Sequence, residues 1–61
     1  RFRKTTYAKN KINKGSVINA EDIIYTAPAY GIYAKFEDIV LGKTANQDIP
    51  ENTPITWDLI S

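Results

Sequence analysis

The fold is decided by the stretch Ile12-Asn13-Lys14-Gly15-Ser16-Val17-Ile18-Asn19, which recurs 37 residues later as Ile49-Pro50-Glu51-Asn52-Thr53-Pro54-Ile55-Thr56. Each copy reads as an apolar residue, a turn, a hydroxyl residue, a short strand centred on isoleucine and a residue that can cap a helical turn. Gly15 and Asn52 share the special position of the turn, and glycine and asparagine are the residues that most readily adopt a positive φ. The repeat predicts two similar half-units that pack about a pseudo-two-fold axis, bridged by residues 26–41.

Apolar residues of the two copies are predicted to meet in one core. Ile23 and Ile60 also correspond at the same spacing, so each half-unit contributes one isoleucine from its helical turn. The predicted core residues are Ile12, Ile18, Ile23, Ile49, Ile55 and Ile60.

The apolar pattern predicts a mainly β fold with short 3-10 or α turns. Apolar segments alternate with turn-forming residues roughly every eight to twelve residues, and none keeps the i, i+3, i+4, i+7 spacing that a helical bundle needs. Single helical turns are predicted after the capping residues Asn19 and Thr56 and over Phe36–Ile39. The predicted strands are Thr5–Ala8, Ser16–Ile18, Ile24–Thr26, Lys43–Asp48 and Pro54–Thr56.

The composition excludes several classes of function. At 61 residues and 6.9 kDa the chain has room for one domain. It has no Cys and no His, which excludes a disulfide framework, structural zinc and the usual nucleophiles and bases of hydrolases. No apolar run reaches the roughly 18 residues that cross a bilayer, so we expect a soluble, cytoplasmic domain with no membrane partner. Because the chain lacks Met and begins with Arg1, we interpret it as a segment of a longer parent.

The formal net charge of +1 conceals an uneven distribution. Six of the eight basic residues precede Gly15, and no acidic residue precedes Glu21. A basic arm can bind nucleic acid or an acidic surface. This arm holds only Phe2 and Tyr7 as aromatic residues, which are too few to stack bases along a strand. We interpret it as a solvated linker and strand face and expect no nucleic-acid partner.

An ordered set of short motifs spans nearly the whole chain: Lys14-Gly15, Ala20-Glu21-Asp22-Ile23, Pro28, Gly31-Ile32, Val40-Leu41-Gly42-Lys43, Asp48-Ile49, Ile55 and Asp58-Leu59. In this order they resemble the SAF domain, in the version that closes the C-terminus of sialic acid synthases and related nonulosonic acid synthases and is similar to type III antifreeze protein. The opening Arg1–Ala8 resembles the junction with the linker of those enzymes. Residues 1–6 are therefore predicted to end the interdomain linker and residues 7–61 to form the domain. The resemblance implies a β-clip fold, a compact coil of short strands and single helical turns.

The resemblance also implies a function that resides in a longer parent. In these synthases an N-terminal (β/α)8 barrel condenses phosphoenolpyruvate with an N-acetylated mannosamine-type sugar, and it holds the catalytic groups and a divalent metal, Mn or Mg. The small domain crosses over in a homodimer to cover the mouth of the partner's barrel, where it contacts the sugar and helps to exclude water. Closure favours the condensation because an activated enol ester also reacts with water. This chain alone is predicted to have no enzymatic activity, no catalytic residue, no metal site and no cofactor.

The loop that contacts the sugar in this family typically reads Arg-Pro-Gly-x-Gly-Ile, and here it reads Ala27-Pro28-Ala29-Tyr30-Gly31-Ile32. Ala27 stands where the family has the arginine that reaches the substrate, and alanine cannot donate a charged hydrogen bond. Either the parent uses a different sugar or a neighbouring residue replaces the arginine. The hydroxyls of Tyr30 and Tyr33 and the charge of Lys35 are the candidates for a replacement, and the alternative for these three residues is packing within the loop. The predicted substrate-contact loop comprises Ala27, Pro28, Tyr30, Gly31 and Tyr33.

Several other residues are better interpreted as structural. Trp57 is predicted to pack in the core or at a subunit interface. The acidic pairs Glu21-Asp22 and Glu37-Asp38 stand where carboxylates stabilise the start of a helical turn, so they are not interpreted as catalytic. Ice binding needs a flat and largely uncharged surface, and charged residues such as Lys9 and Lys11 surround the first turn. We therefore do not expect this chain to bind ice.

A second class of function stays open. The same fold occurs in free-standing or differently fused binding modules, such as the assembly chaperones of pili and flagella and sugar-acid dehydratases. The basic N-terminal segment and Val40-Leu41-Gly42-Lys43 favour the synthase. Ala27, which stands in place of the family's arginine, does not favour the synthase.

Overall fold

The computed structural model describes residues 4–61, which form a small sheet and several single helical turns joined by coil. Within these residues the sheet has two antiparallel strands, β1 (Thr5–Ala8) and β2 (Ile23–Thr26), paired from Thr5 with Thr26 to Ala8 with Ile23. The helical segments are 3-10 turns at Ala20–Asp22, Ala34–Phe36 and Trp57–Leu59, and the one-turn helix α1 at Glu37–Val40.

Strand β1 lies at the centre of the domain. Its sequence Thr-Thr-Tyr-Ala favours a strand because β-branched and aromatic side chains pack well on a pleated surface, and all four residues are buried. On the side away from β2, the Thr6 amide donates to Ile32 O at 2.8 Å and the Ile55 amide donates to Thr6 O at 2.9 Å. β1 is therefore held from both sides, and the segments around Ile32 and Ile55 are fixed to it.

The backbone hydrogen bonds confirm the two predicted half-units. Ile12 and Ile49 bond to each other reciprocally, at 2.9 and 2.7 Å, so this pair lies on the pseudo-two-fold axis. The surrounding bonds recur at a spacing of 37 residues: Ala8 N to Thr53 O with Ala45 N to Ser16 O, Gly15 N to Ala45 O with Asn52 N to Ala8 O, Lys9 N to Asp22 O with Asn46 N to Leu59 O, and Ile18 N to Lys43 O with Ile55 N to Thr6 O. The correspondence also covers the bridges Tyr7 to Pro54 and Val17 to Thr44. The repeat is thus longer in the structure than in the sequence, because it includes β1 and the segment that begins at Lys43.

The two turns have the backbone conformation that their residues predict. Gly15 has φ of 88° and Asn52 has φ of 67°. Glycine adopts this left-handed region freely and asparagine tolerates it better than other residues with a side chain. The prediction of equivalent turns is confirmed.

The predicted core is also confirmed. All six isoleucines are buried, and none exposes more than 7% of its surface. Full burial of one such side chain contributes about 1.5 to 3 kcal/mol, so these residues dominate the stabilisation of a domain this small. The bridging segment adds Ile32 and Val40, and the half-units add the equivalent alanines Ala8 and Ala45.

Three of the predicted strands are wrong as strands. Ser16–Ile18, Lys43–Asp48 and Pro54–Thr56 contribute only isolated bridges, because each segment pairs across one or two residues before the chain turns toward the other half-unit. The helical turn predicted over Phe36–Ile39 is longer, since a 3-10 turn at Ala34–Phe36 runs directly into α1. The mainly β description with short helical turns agrees with the structure, although its regular sheet is small.

The predicted linker falls largely at the edge of the described residues. Arg1–Arg3, with two of the basic residues of the arm, lie outside them. Thr5 and Thr6 are buried in β1, while Lys4, Lys9, Lys11 and Lys14 are exposed. The division into residues 1–6 and 7–61 stays a prediction. Among the residues described, no helix is long and apolar enough to span a membrane.

Candidate functional site

The loop from Ala27 to Tyr33 joins β2 to the next helical turn and lies at the surface. Its residues Ala27 to Tyr30 are exposed, and the peptide bond between Ala27 and Pro28 is cis. The carbonyl oxygen of Pro28 accepts hydrogen bonds from the Tyr7 hydroxyl at 2.7 Å and the Tyr30 amide at 2.9 Å, with the Thr5 hydroxyl at 3.4 Å. One carbonyl thereby fixes the tip of the loop to the buried strand β1.

Gly31 is fixed by its close approach to the core backbone. Its amide donates to Thr5 Oγ1 at 3.1 Å. A Cβ atom at this position would lie 2.2 Å from Thr6 O and 3.0 Å from Ile55 O, which no side chain tolerates. The loop requires glycine here because the backbone of β1 occupies the space of a side chain.

A cavity of about 320 Å³ opens beside this loop. We call it the aromatic pocket, and its lining residues come from the loop, from the following 3-10 turn and from the C-terminal turn: Ala29, Gly31, Ile32, Tyr33, Phe36, Thr56 and Trp57. None of these side chains is charged. The pocket is therefore suited to an uncharged and largely apolar group.

Aromatic rings form the wall of the pocket. The centroids of Phe36 and Trp57 lie 5.9 Å apart with an interplanar angle of 67°, an edge-to-face contact. The Lys35 ammonium group lies 5.2 Å from the Phe36 ring centroid, a distance at which a cation is attracted to the ring. Trp57 exposes 49% of its surface, so the prediction of core packing is wrong. The alternative, packing at a subunit interface, is consistent with this exposure.

The structure brings together only part of the predicted substrate-contact loop. Gly31 and Tyr33 line the aromatic pocket, whereas Ala27, Pro28 and Tyr30 lie on the loop outside it. Tyr30 is 70% exposed, so its hydroxyl is available at the surface. The assignment of these five residues to substrate contact stays a prediction.

Five pocket residues were not among the predicted contact residues: Ala29, Ile32, Phe36, Thr56 and Trp57. The signal that could have found Trp57 is the repeat, because the equivalent position of the first half-unit is Ala20. Both residues begin a 3-10 turn of the same shape. A small residue is therefore sufficient for the turn, and a large exposed ring in the other copy needs another explanation.

Acidic residues of both predicted pairs interact with other residues of the domain. Asp22 accepts a hydrogen bond from the Asn19 amide at 3.1 Å at the start of its turn. Burial, aided by the nearby carboxylates of Glu37 and Asp38, raises the pKa of Tyr25 to about 12. Among residues 4–61 no group of three carboxylates comes together to hold a metal ion.

Comparison with known proteins identifies the family. The model of the SAF domain matches residues 3–61. Pseudaminic acid synthases from Campylobacter jejuni serotypes O:23/36 and O:2 are 35% identical over 48 residues, which cover 79% of the chain and 14% of each synthase. An uncharacterised protein of Methanocaldococcus jannaschii is 32% identical over 56 residues, 92% of the chain and 17% of that protein. The chain spans less than a fifth of the length of these relatives.

The match covers both half-units, the loop and the residues of the aromatic pocket. The resemblance predicted from the ordered motifs is confirmed, and so is the similarity to synthases of the sialic acid type. The chain belongs to the SAF domain family.

Proposed function

We propose that the chain is the C-terminal accessory domain of a nonulosonic acid synthase and covers the active site of the partner subunit in a homodimer. The observation that carries the proposal is the exposed loop, whose Pro28 carbonyl accepts two hydrogen bonds from the buried strand β1 and one from the loop's own Tyr30 amide. A rigid exposed loop on a domain without His or Cys is suited to closing a site whose catalytic groups lie elsewhere. The sequence identity of 35% to two pseudaminic acid synthases supports assignment of the parent to the nonulosonic acid synthases.

In this proposal the domain has a β-clip fold and acts as a lid. The parent's barrel, with its divalent Mn or Mg ion, condenses phosphoenolpyruvate with an N-acetylated sugar, a reaction that consumes one water molecule and releases phosphate. The lid keeps bulk water away from the site while the enol ester reacts. Phosphoenolpyruvate is a cytoplasmic metabolite, so the proposal places the parent in the cytoplasm.

The loop from Ala27 to Tyr33 is the part of the lid that faces the sugar. Ala27 offers no charge, so the contact passes to the Tyr30 hydroxyl at the exposed tip, with Tyr33 and Lys35 behind it. Tyr30 is the best placed of the three because its side chain is more exposed than that of Tyr33, at 70% against 40%, and its amide donates to Pro28 O. Replacing Tyr30 by Phe in the parent is expected to raise KM for the sugar and to leave KM for phosphoenolpyruvate unchanged.

Mixed dimers of the parent chain test the lid directly. One chain carries an inactivated barrel and the other lacks the residues of this domain, so each homodimer is inactive. If the lid covers the partner's barrel, the mixed dimer regains one closed and intact site, and we expect close to half of the wild-type activity per dimer. A mixed dimer with no activity above the two homodimers would show that the domain does not cover the partner's site.

The second candidate is a binding or chaperone module of another SAF protein, such as one for pilus or flagellar assembly or a sugar-acid dehydratase. The observation that favours it is Ala27, where the substrate-contacting arginine of the synthases is missing. A parent gene without a barrel of roughly 280 residues upstream would favour this candidate, a length that follows from typical α/β barrels.

A further inference from the structure

The two half-units provide an internal control for every residue they contain. Positions 37 residues apart share the same backbone hydrogen bonds, so a residue that the fold requires should have a similar counterpart. The isoleucines of the core and the turn residues Gly15 and Asn52 obey this rule. Trp57 does not, because its counterpart is Ala20 and both are exposed at the start of equivalent 3-10 turns. Trp57 is therefore not explained by the architecture of the domain.

The exposed ring of Trp57 is part of a preformed apolar surface. It contacts Phe36 edge to face and shares with it the wall of the aromatic pocket. Lys35 stands next to this wall as an exposed charge. An uncharged aromatic centre beside a charged residue is typical of the core and rim of a protein interface, where Trp and Tyr contribute most of the binding energy.

Several polar groups of the pocket are used within the domain. The amides of Gly31, Ile32 and Phe36 donate to Thr5 Oγ1, Ile55 O and Tyr33 O. The Thr56 hydroxyl donates to the Asp58 carboxylate. A sugar that entered the pocket would lose water from several hydroxyls and would find these groups already bonded, which is unfavourable. An apolar side chain has no such requirement.

We propose that the aromatic pocket receives an apolar side chain from the large domain of the parent synthase and that Trp57 is the anchor of this contact. The inference rests on the proposed function, because it takes the occupant from the more than four-fifths of the relatives' length that the chain does not cover. The pocket holds the lid in place, and the neighbouring loop tip at Tyr30 faces the sugar. Docking thus centres on Trp57 and Phe36, and substrate contact centres on Tyr30 of the same surface.

Hydrogen–deuterium exchange of the full-length parent tests the anchor. The amides of residues 31–36 and 56–59 are expected to exchange about 30-fold faster in Trp57→Ala, the factor that corresponds to the loss of a hot spot of roughly 2 kcal/mol. Trp57→Phe keeps an aromatic ring and is expected to retain most of the protection. Val17→Ala is the matched control, because Val17 has the same 49% exposure, lines no part of the pocket and is expected to leave exchange unchanged.

The thermal midpoint of the 61-residue chain separates docking from folding. Because Trp57 is half exposed, Trp57→Ala is expected to keep a cooperative transition in the isolated chain. If Trp57→Ala unfolds in the isolated chain, two single variants of the parent replace it. Trp57→Phe keeps the aromatic wall and is expected to keep the protection, whereas Phe36→Leu removes one ring of the wall and is expected to lose it. Equal exchange in Trp57→Ala and wild-type parent would overturn the proposal.

Steady-state kinetics distinguishes the protein occupant from a sugar. If KM for the N-acetyl sugar rose about tenfold in Trp57→Ala without faster exchange, the pocket would be a substrate site and the proposal would be wrong. The exchange measurement requires no turnover. A parent without synthase activity would therefore refute the proposed function and still test the docking contact.

Discussion

Replacing Gly31 by Ala introduces one methyl group at the point where the loop touches the core. The new Cβ atom would lie 2.2 Å from Thr6 O, whereas an ordinary contact begins at 3.4 Å, so one of the two backbones has to move by about 1 Å. Thr6 cannot move alone, because its amide and carbonyl bond to Ile32 and Ile55 at 2.8 and 2.9 Å. Overpacking of this kind costs about 1 to 3 kcal/mol, and displaced backbone hydrogen bonds add about 1 kcal/mol each. We expect a loss of at least about 2 kcal/mol.

Thermal unfolding of the 61-residue chain, followed by circular dichroism, measures this loss. In a domain of this size 1 kcal/mol shifts Tm by roughly 4 to 8 °C, so Gly31→Ala is expected to lower Tm by about 8 to 16 °C. The matched control is Gly15→Asn. A Cβ atom at Gly15 meets nothing within 4 Å, and asparagine accepts the positive φ of this position, as the equivalent Asn52 does with φ of 67°. Gly15→Ser is not suitable, because serine is strained at a positive φ. A Tm of Gly31→Ala within about 2 °C of the wild type would refute the packing argument.

The remaining predictions concern the turn, the buried phenol and the core. Gly15→Val is expected to destabilise the chain by more than about 1 kcal/mol and Gly15→Asn by less than about 0.5 kcal/mol, because only valine is strained at this φ; urea unfolding measures both. The raised pKa of Tyr25 means that the folded state favours the neutral phenol, so its contribution to stability is fully present below pH 10 and is lost as the pH rises toward about 12. Tyr25→Phe should flatten the stability curve in this window, and an unchanged curve would contradict the assignment. Ile18→Val and Ile55→Val should each cost about 0.5 to 1.5 kcal/mol, and costs that differ by more than about 1 kcal/mol would argue against equivalent half-units.

The half-units could be predicted from sequence because their signal is local. In each copy the turn residue, the hydroxyl residue after it and two of the three core isoleucines lie within eight consecutive residues, and each has a direct physical reason. The rest of the repeat was missed because β1 and the segment after Lys43 share a backbone path but, apart from the equivalent alanines Ala8 and Ala45, few residue types. Thr6 and Lys43, for example, accept equivalent hydrogen bonds through their carbonyls, which any side chain permits.

Strand length could not be predicted for a different reason. A strand continues only where a neighbour continues beside it, and Val17 and Pro54 each meet a partner at one residue before the chain turns. Local preference for extended backbone does not contain that information. The regular strand β1 was predicted with its observed bounds, and here β2 runs alongside it for its full length.

The candidate site was predicted in part. The loop was located by its resemblance to a family motif, and Gly31 has a structural reason that the spacing alone did not show. The aromatic pocket depends on the contact between Phe36 of the bridging segment and Trp57 of the second half-unit, which lie 21 residues apart in the sequence. Composition identifies these residues as aromatic, and only the fold shows that their rings meet at the surface.

The most direct test of the account is a crystal structure of the full-length parent with a bound N-acetylated sugar analogue. We expect residues 7–61 of one subunit to cover the barrel mouth of the other, with Tyr30 within hydrogen-bonding distance of the analogue. This expectation is contradicted if the segment packs away from both barrels, or if the analogue binds in a closed site that no residue of this segment touches.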